Sequence, residues 1–168
     1  MGSTTKKVCI IGDFAVGKTS TVARCVHNVF SEKYLTTVGV KIDTTQITME
    51  ESGETLKMVI WDIAGTDRFS AVEFSYLRGA SGYILVVDGT RMHTLEVARR
   101  LCEEAGERYG NLPYVTLINK SDLRDSWEVS DADLGKLEED GYNPIITSAK
   151  TGENVSEALL RLAHLVME

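Results

Sequence analysis

Short apolar runs alternate with amphipathic segments along the whole chain. Continuous apolar runs predict buried strands at residues 8–11, 83–88, 114–119 and 144–147. Apolar residues at helical spacing predict helices at residues 19–29, 97–109, 131–140 and 154–166, the last with a capping box between Asn154 and Glu157. This alternation is typical of an α/β protein with a mostly parallel sheet, because each helix carries the chain back between two parallel strands.

One pair of strand patterns departs from this alternation. Residues 40–49 and 56–62 are separated by the turn-forming sequence ESGE at 51–54, which predicts a hairpin. Strands joined by a tight turn are antiparallel. Residues 30–39 and 63–76 lack periodicity and are predicted to be long loops. The predicted fold is therefore a six-stranded, mostly parallel sheet with one antiparallel edge strand, surrounded by five helices.

Length and composition narrow the class of protein. The 168 residues fit one domain, which we place at residues 6–168 after an N-terminal tail of residues 1–5. A net charge of −7 argues against binding to a nucleic-acid backbone. No apolar run approaches the roughly 20 residues that cross a bilayer, and the last residues contain no prenylation cysteine. We expect a monomeric cytoplasmic protein that would reach membranes only through a lipidated tail beyond residue 168.

The sequence GDFAVGKTS, residues 12–20, connects the first predicted strand to the first predicted helix. It contains the phosphate-binding pattern G-x-x-x-x-G-K-[ST] as Gly12, Gly17, Lys18 and Thr19. The glycines allow successive backbone N–H groups to face one anion, Lys18 adds a positive charge, and the Thr19 hydroxyl can ligate Mg²⁺. A chance match in a glycine-containing turn is the alternative, and the strand before and helix after the pattern argue against it. The sequence therefore predicts a nucleotide whose phosphates lie at a helix N-terminus.

Three further motifs follow predicted strands, at the sheet edge where α/β proteins bind ligands. Asp62 can hold Mg²⁺ through a water molecule, and the amide of Gly65 can reach a terminal phosphate. Asp122 can accept two N–H donors from the edge of guanine, and the stem of Lys120 can cover the base. The motif Ser148-Ala149-Lys150 offers backbone N–H groups to the guanine oxygen.

Each of these motifs is weak alone, and NKSD at residues 119–122 is by itself equally consistent with a helix-capping turn. Their order after one phosphate loop favours a guanine nucleotide over that simpler interpretation. A kinase that transfers phosphate to a small acceptor is a further alternative. NKSD and SAK argue against it, and the sequence shows no acceptor-binding lid.

In this order, GDFAVGKT, Thr37, DIAG, NKSD and SAK make the chain resemble the Ras-superfamily small GTPases over nearly all of its length. VGVKI at 38–42, VIWDIAGTDRF at 59–69 and YLRGASGYILVVDGT at 76–90 are most similar to the Rab branch. The resemblance implies an enzyme that hydrolyses GTP to GDP and phosphate. It also implies signalling through two switch loops, residues 30–39 and 63–76.

The resemblance assigns roles to individual residues. The implied catalytic residues are Lys18, Thr37, Gly65 and Thr66. The implied Mg²⁺ ligands are Thr19, Thr37 and, through a water molecule, Asp62. Phe30 would pack edge-on against the base, and Tyr34 would close over the phosphates. The full set of expected GTP or GDP contacts is Asp13, Phe14, Ala15, Val16, Gly17, Lys18, Thr19, Ser20, Phe30, Tyr34, Thr37, Gly65, Asn119, Lys120, Asp122, Ser148, Ala149 and Lys150.

Partners are expected at the switch loops and at a cluster of Ile42, Trp61 and Tyr76. The resemblance implies an exchange factor, an activating protein and effectors, but no nucleic acid. Ile42 replaces the usual aromatic residue of this cluster, which leaves the identity of the partners open. For Trp61, simple packing beneath the hairpin is the alternative to partner binding.

Two positions depart from the family pattern, and both bear on hydrolysis. Thr66 stands where the family has the glutamine that orients the attacking water, and its side chain is shorter by about two bonds. Phe14 stands where the phosphate loop usually has glycine or another small residue, so its ring would crowd both that water and an arginine from an activating protein. We predict slow hydrolysis, with a GTP-locked binding module as the alternative. Asp88, at a strand end, is expected only to cap a turn.

Overall fold

The computed structural model describes residues 3–26, 34–35, 40–63 and 74–168. Within these ranges seven strands form one sheet in the order β2-β3-β4-β1-β5-β6-β7. The strands are β1 (Ser3–Gly12), β2 (Tyr34–Leu35), β3 (Val40–Thr48), β4 (Thr55–Ile63), β5 (Gly82–Asp88), β6 (Tyr114–Asn119) and β7 (Pro144–Ile146). The predicted α/β architecture is confirmed.

Four α-helices lie in the described part of the chain: α1 (Lys18–Val26), α2 (Met92–Tyr109), α3 (Asp131–Glu139) and α4 (Val155–Met167). A 3₁₀ helix, Ser121–Ser126, follows β6 directly. None of the helices in these ranges combines the length and the apolar character needed to cross a bilayer.

The pairing of strands gives the sheet a parallel part and an antiparallel part. Strand β1 lies parallel to both β4 and β5, and β5, β6 and β7 continue in parallel. Strand β3 runs antiparallel to β4, as the hairpin pattern predicted, and β2 runs antiparallel to β3. The carboxyl ends of β1, β4, β5, β6 and β7 therefore meet at one edge of the sheet, where the sequence motifs converge.

Both faces of the sheet are covered, which is usual for parallel strands. Successive residues of β1 point to opposite faces: Ile10 packs with Ile84 and with Leu162 of α4, and Ile11 packs with Leu85 and Leu101 of α2. All of these side chains are buried. The buried faces fix the register of the central strands and hold their carboxyl ends in place.

Three local predictions differ from the structure. Strand β2 lies inside the loop predicted at 30–39 and adds a short seventh strand outside β3. Strand β1 begins at Ser3, inside the tail predicted at residues 1–5, because β4 offers backbone partners from Thr55 onward.

The third difference concerns helix starts. Asn154 adopts a left-handed conformation with φ 57° and caps no backbone N–H of α4; its Nδ2 instead donates to the carbonyl of Ile146 at 2.8 Å. A capping box does occur at the start of α3, where the side chains of Ser130 and Asp133 bond reciprocally to each other's backbone N–H groups. The capping box that the spacing predicted at the start of α4 is not formed, and one is found at the start of α3 instead.

Candidate functional site

The carbonyl groups of the phosphate loop between β1 and α1 accept hydrogen bonds from side chains of the loop and of neighbouring elements. The side chain of Lys18 donates from Nζ to the carbonyls of Gly12 and Asp13, both at 3.0 Å. The next carbonyls accept from other elements: Phe14 from Arg91 at 2.8 Å, Ala15 from Lys120 at 3.2 Å and Val16 from Asn119 at 3.0 Å.

Two loop residues have positive φ angles, Ala15 at 59° and Gly17 at 105°. Such left-handed residues curve the backbone so that successive N–H groups face one concavity, which suits an anion. Gly17 has a second reason to be glycine. A Cβ there would lie 2.3 Å from Nδ2 of Asn119, so any side chain would displace the amide that holds Val16.

The concavity continues into a cavity of about 480 Å³. Its lining residues are Phe14, Ala15, Gly17, Lys18, Thr19, Ser20, Asp62 and Lys120. Lys18 is buried, and burial lowers the pKa of its ammonium while the charges of Asp62 and Asp13 oppose that shift. The ring of Phe14 is 57% exposed at this wall, an unusual position for a phenylalanine.

Thr19 and Asp62 meet on the floor of this cavity. Thr19 Oγ1 donates to Asp62 Oδ2 at 2.7 Å, which brings the start of α1 and the end of β4 together. Asp62 is buried, and its Oδ1 has no hydrogen-bond partner among the described residues. A buried carboxylate oxygen without a partner is costly unless a cation or water satisfies it. A hydroxyl beside a carboxylate is also an oxygen donor set that suits Mg²⁺, so these residues fit the expected metal.

A second group of predicted residues gathers at the ends of β6 and β7. Asn119 is buried, and its Oδ1 accepts from the backbone N–H of Ala149 at 3.1 Å and from Thr147 Oγ1 at 3.3 Å. Ser148 Oγ donates to Asp122 Oδ1 at 2.7 Å. Together these bonds join the NKSD and SAK motifs into one surface beside the phosphate loop.

Lys120 links that surface to the phosphate loop. Its backbone is left-handed, with φ 75° and ψ 40°, and its carbonyl accepts from Trp127 Nε1 at 2.8 Å. Its Nζ lies 2.8 Å from the buried carboxylate of Asp88 and bonds to the carbonyl of Ala15. The stem of Lys120 is therefore fixed at both ends.

Arg24 of α1 holds the SAK motif from the other side. Its guanidinium donates from Nε to the carbonyl of Ala149 at 3.0 Å and from Nη2 to that of Lys150 at 2.5 Å. These residues, with Ser20 and Ala23, line a second cavity of about 530 Å³. Ser20, Ala149 and Lys150 were predicted to contact the nucleotide, and the structure brings them to one side of α1.

Several predicted residues lie outside the described ranges: Phe30, Thr37, Gly65 and Thr66. Tyr34 is described only through its backbone, which pairs with Ile42. The roles expected of these residues stay predictions.

The cluster expected to meet partners lies on the antiparallel part of the sheet. Ile42 stands opposite Trp61 in the pairing of β3 with β4. The rings of Trp61 and Tyr76 are 6.2 Å apart, and Lys7 Nζ lies 3.8 Å above the Trp61 ring. All four side chains are half-buried. The three predicted residues are thus neighbours, although both alternatives for Trp61, packing and partner binding, stay open.

Among the described residues, supporting side chains that had not been predicted include Arg24, Asp88, Arg91, Trp127 and Thr147. Asp88 was expected only to cap a turn, and it does accept from the backbone N–H of Thr90 at 2.9 Å. Its ion pairs with Lys120 and Arg91 join segments about 30 residues apart in the sequence. Only its position at the end of a buried strand, where a charge requires a partner, could have indicated them.

A mostly parallel sheet with a phosphate loop after its first strand defines a P-loop nucleotide-binding domain. The sequence model of the Ras family matches residues 7–168. The chain is 37% identical over 161 residues to the Ras-related protein RABD1 of Arabidopsis thaliana, an alignment that covers 94% of this chain and 77% of that protein. It is 34% identical over 163 residues to the Ras-related protein SEC4 of Saccharomyces cerevisiae, covering 96% and 75%. It is 37% identical over 168 residues to the Ras-related protein Rab-1 of Theileria parva, covering 96% and 74%.

The chain therefore belongs to the Ras family, as a small GTPase of the Rab-like kind. This confirms the resemblance drawn from the motifs.

Proposed function

We propose that this protein is a cytoplasmic switch that binds GTP and GDP with Mg²⁺, hydrolyses GTP slowly, and presents the difference to partners through residues 30–39 and 63–76. The supporting observation is the double use of Asn119. Its Nδ2 holds the carbonyl of Val16 in the phosphate loop, and its Oδ1 accepts the N–H of Ala149 in the SAK motif. One buried side chain thereby ties the phosphate-binding segment to the segment expected to meet the base.

Selectivity for guanine would come from Asp122. Its carboxylate is exposed on the 3₁₀ helix and is oriented by Ser148. Guanine presents two N–H donors on one edge, which a carboxylate can accept in a charge-assisted pair. Adenine does not offer that pair of donors at the same place, so its binding would leave the carboxylate poorly satisfied.

Hydrolysis requires little covalent chemistry from the protein. A water oxygen attacks the γ-phosphorus, the bond to the β–γ bridging oxygen breaks, and negative charge develops on the bridging oxygen. Lys18, whose Nζ is already held by the carbonyls of Gly12 and Asp13, would stabilise that charge in a preorganised position. Mg²⁺ held by Thr19, Thr37 and Asp62 would supply further neutralisation of the phosphate oxygens.

Slow turnover is expected from Phe14 and Thr66. The ring of Phe14 forms part of the cavity wall, and we expect it to crowd the attacking water and an activating arginine. We expect single-turnover hydrolysis at or below the order of 10⁻⁴ s⁻¹, the intrinsic scale of Ras. Phe14→Gly combined with Thr66→Gln should hydrolyse GTP faster than either single change, and non-additively, because the glutamine can orient the water only if Phe14 leaves room for it.

A second candidate function is a GTP-locked module that recruits partners without turnover. The exposure of Phe14 at the cavity wall favours it, since a phenylalanine there excludes assistance from an activating protein as well as water. The nucleotide released by denaturing freshly purified protein separates the two functions. Mostly GDP supports the slow switch, mostly GTP supports the locked module, and neither nucleotide would contradict guanine binding itself.

Exchange factors, activating proteins and effectors would bind through the two loops and the neighbouring cluster of Ile42, Trp61 and Tyr76. The support is the position of this cluster: β4 carries Trp61 immediately before Asp62. A change around the carboxylate of Asp62, which we propose holds Mg²⁺, would therefore occur directly beside the partner surface.

A further inference from the structure

The carboxylate of Asp88 is buried at the carboxyl end of β5, with 1% of the residue exposed. Its Oδ2 lies 2.8 Å from Lys120 Nζ and 3.0 Å from Arg91 Nε. Its Oδ1 accepts from the backbone N–H and the hydroxyl of Thr90, at 2.9 and 2.7 Å. Burial raises the pKa of Asp88, but the hydrogen bonds from Lys120, Thr90 and Arg91 outweigh it and keep the carboxyl charged. A buried charge requires such partners, and two of these four donors connect Asp88 to residues outside the turn that Thr90 forms with it.

The two cations that bind Asp88 also donate hydrogen bonds to the phosphate loop. Arg91 Nη2 donates to the carbonyl of Phe14 at 2.8 Å, and Lys120 Nζ donates to the carbonyl of Ala15 at 3.2 Å. These two carbonyls flank the point where Ala15 takes a φ of 59°. A left-handed conformation is strained for alanine and persists only where surrounding contacts impose it. The two cations supply such contacts, and Asp88 fixes the position of both.

We propose that Asp88 is a positioning residue for nucleotide binding: through Lys120 and Arg91 it holds the phosphate loop in its anion-binding conformation and so slows nucleotide release. Asp88 does not reach the cavity, whose lining includes Lys120 but not Asp88. Its effect on the ligand is transmitted by the two cations. This role rests on the guanine-nucleotide binding proposed above.

The test is the release rate of a fluorescent GDP analogue, measured by stopped flow against excess unlabelled GDP. Asp88→Asn keeps the shape of the side chain but removes its charge, and we expect release about tenfold faster than in the wild type. The matched control is Asp140→Asn. Asp140 also pairs with an arginine and a lysine, Arg99 at 3.0 Å and Lys136 at 3.5 Å, but at the exposed end of α3. Its release rate should stay within about twofold of the wild type.

The same experiment distinguishes this role from the proposed function. A wild-type protein that binds no guanine nucleotide contradicts the proposed function. If the wild type binds GDP and a folded Asp88→Asn variant releases GDP at the wild-type rate, only the role of Asp88 is contradicted.

A general loss of stability is separated by two further measurements. Release of inosine diphosphate, which lacks the exocyclic amine of guanine, should accelerate by the same factor as release of GDP, because the two cations hold the phosphate loop and not the base edge. In an Arg91→Gln background, Asp88→Asn should accelerate release by a smaller factor than in the wild type, because one of its two connections is already absent. Unequal factors for the two nucleotides, or an equal factor in both backgrounds, would contradict the role.

If Asp88→Asn does not fold, Arg91→Gln decides the question alone. The guanidinium of Arg91 is 41% exposed, so its replacement should leave the fold intact. We expect its GDP release to be about threefold faster, and a wild-type rate would overturn the proposal.

Discussion

The nucleotide-binding edge of the sheet and the cluster around Trp61 are neighbours at the carboxyl end of β4, but they are stabilised differently. At the edge, buried polar side chains make several short hydrogen bonds and ion pairs: Asn119 with the backbone of Val16 and Ala149, and Asp88 with Lys120. Around Trp61, half-buried side chains make aromatic and cation–π contacts, with the rings of Trp61 and Tyr76 6.2 Å apart and Lys7 Nζ 3.8 Å from the indole.

This difference predicts how each region responds to substitution. A buried polar network is costly to break, because each lost partner leaves another group unsatisfied. A half-buried apolar cluster loses mainly the area that it covers. Changes at the edge should therefore act strongly on the nucleotide, and changes around Trp61 should hardly affect it.

The largest expected effect is that of Lys18→Ala. The variant loses the cation facing the phosphates and the donor to the carbonyls of Gly12 and Asp13. We expect GDP affinity to fall at least about a hundredfold, or about 2.7 kcal/mol, by isothermal titration. Lys136→Ala, on the exposed face of α3, is the matched control and should bind GDP as the wild type does. Equal affinities for the two variants would show that the phosphates bind elsewhere.

The next effect is a change of base preference in Asp122→Asn. An amide can accept only one of the two guanine N–H groups, but it can donate to the carbonyl that xanthine carries in place of the amine. We expect GDP affinity to fall about a hundredfold while affinity for xanthosine diphosphate rises. Asp125→Asn, on the same 3₁₀ helix and exposed, is the control. An unchanged ratio of the two nucleotides would remove Asp122 from the base site.

The reactivity of the three cysteine thiols tests how tightly the strand and helices that carry them are packed. Burial raises the pKa of Cys9 and of Cys25 to about 12, so their thiolate fraction at pH 8 is lower by about a thousandfold than at the ordinary value of 9.0. Cys25 on α1 and Cys102 on α2 are both half-buried, and we expect Cys102 to be alkylated first because of the raised pKa of the Cys25 thiol. Mass spectrometry after iodoacetamide treatment should find Cys9 and Cys25 unmodified until denaturant is added.

The same thiols give a direction for stability against pH. Their folded pKa lies above the unfolded value, so the folded state keeps protons that the unfolded state loses as pH rises. The stabilisation is complete below pH 9.0 and is lost as pH rises toward about 12. Early modification of Cys9 at pH 8 would mean that the sheet opens more readily than its buried strands indicate.

The features that the sequence predicts well are those set by residues close together in the chain. The phosphate loop, the hairpin and β6 follow from short patterns, and β6 is found with the predicted bounds. The convergence of NKSD and SAK on the phosphate loop also follows, since parallel strands place their carboxyl ends at one edge. The ion pair of Asp88 with Lys120 could not be predicted in the same way, because the pairing of β5 with β6 brings the two residues together, whereas Arg91 lies only three residues from Asp88. The start of α4 was predicted at the right place, but its capping box was not found: Asn154 has the right spacing, and its amide donates instead to the carbonyl of Ile146 in β7.

The smallest expected effect on the nucleotide is that of Trp61→Ala. The variant loses the contact with the Tyr76 ring and the cation that lies over the indole, Lys7 at 3.8 Å. We expect the free energy of unfolding to fall by about 1–2 kcal/mol in urea denaturation, since the side chain is only half-buried. GDP release should stay within about twofold of the wild type, because within the described part of the chain no hydrogen bond joins the Trp61 side chain to the residues that line the cavity. Trp127→Ala is the matched tryptophan at the edge: its Nε1 holds the carbonyl of Lys120, so it should accelerate release where Trp61→Ala does not. If Trp61→Ala accelerates GDP release as much as Trp127→Ala does, the two regions are coupled, and a partner bound at Trp61 would act directly on the nucleotide.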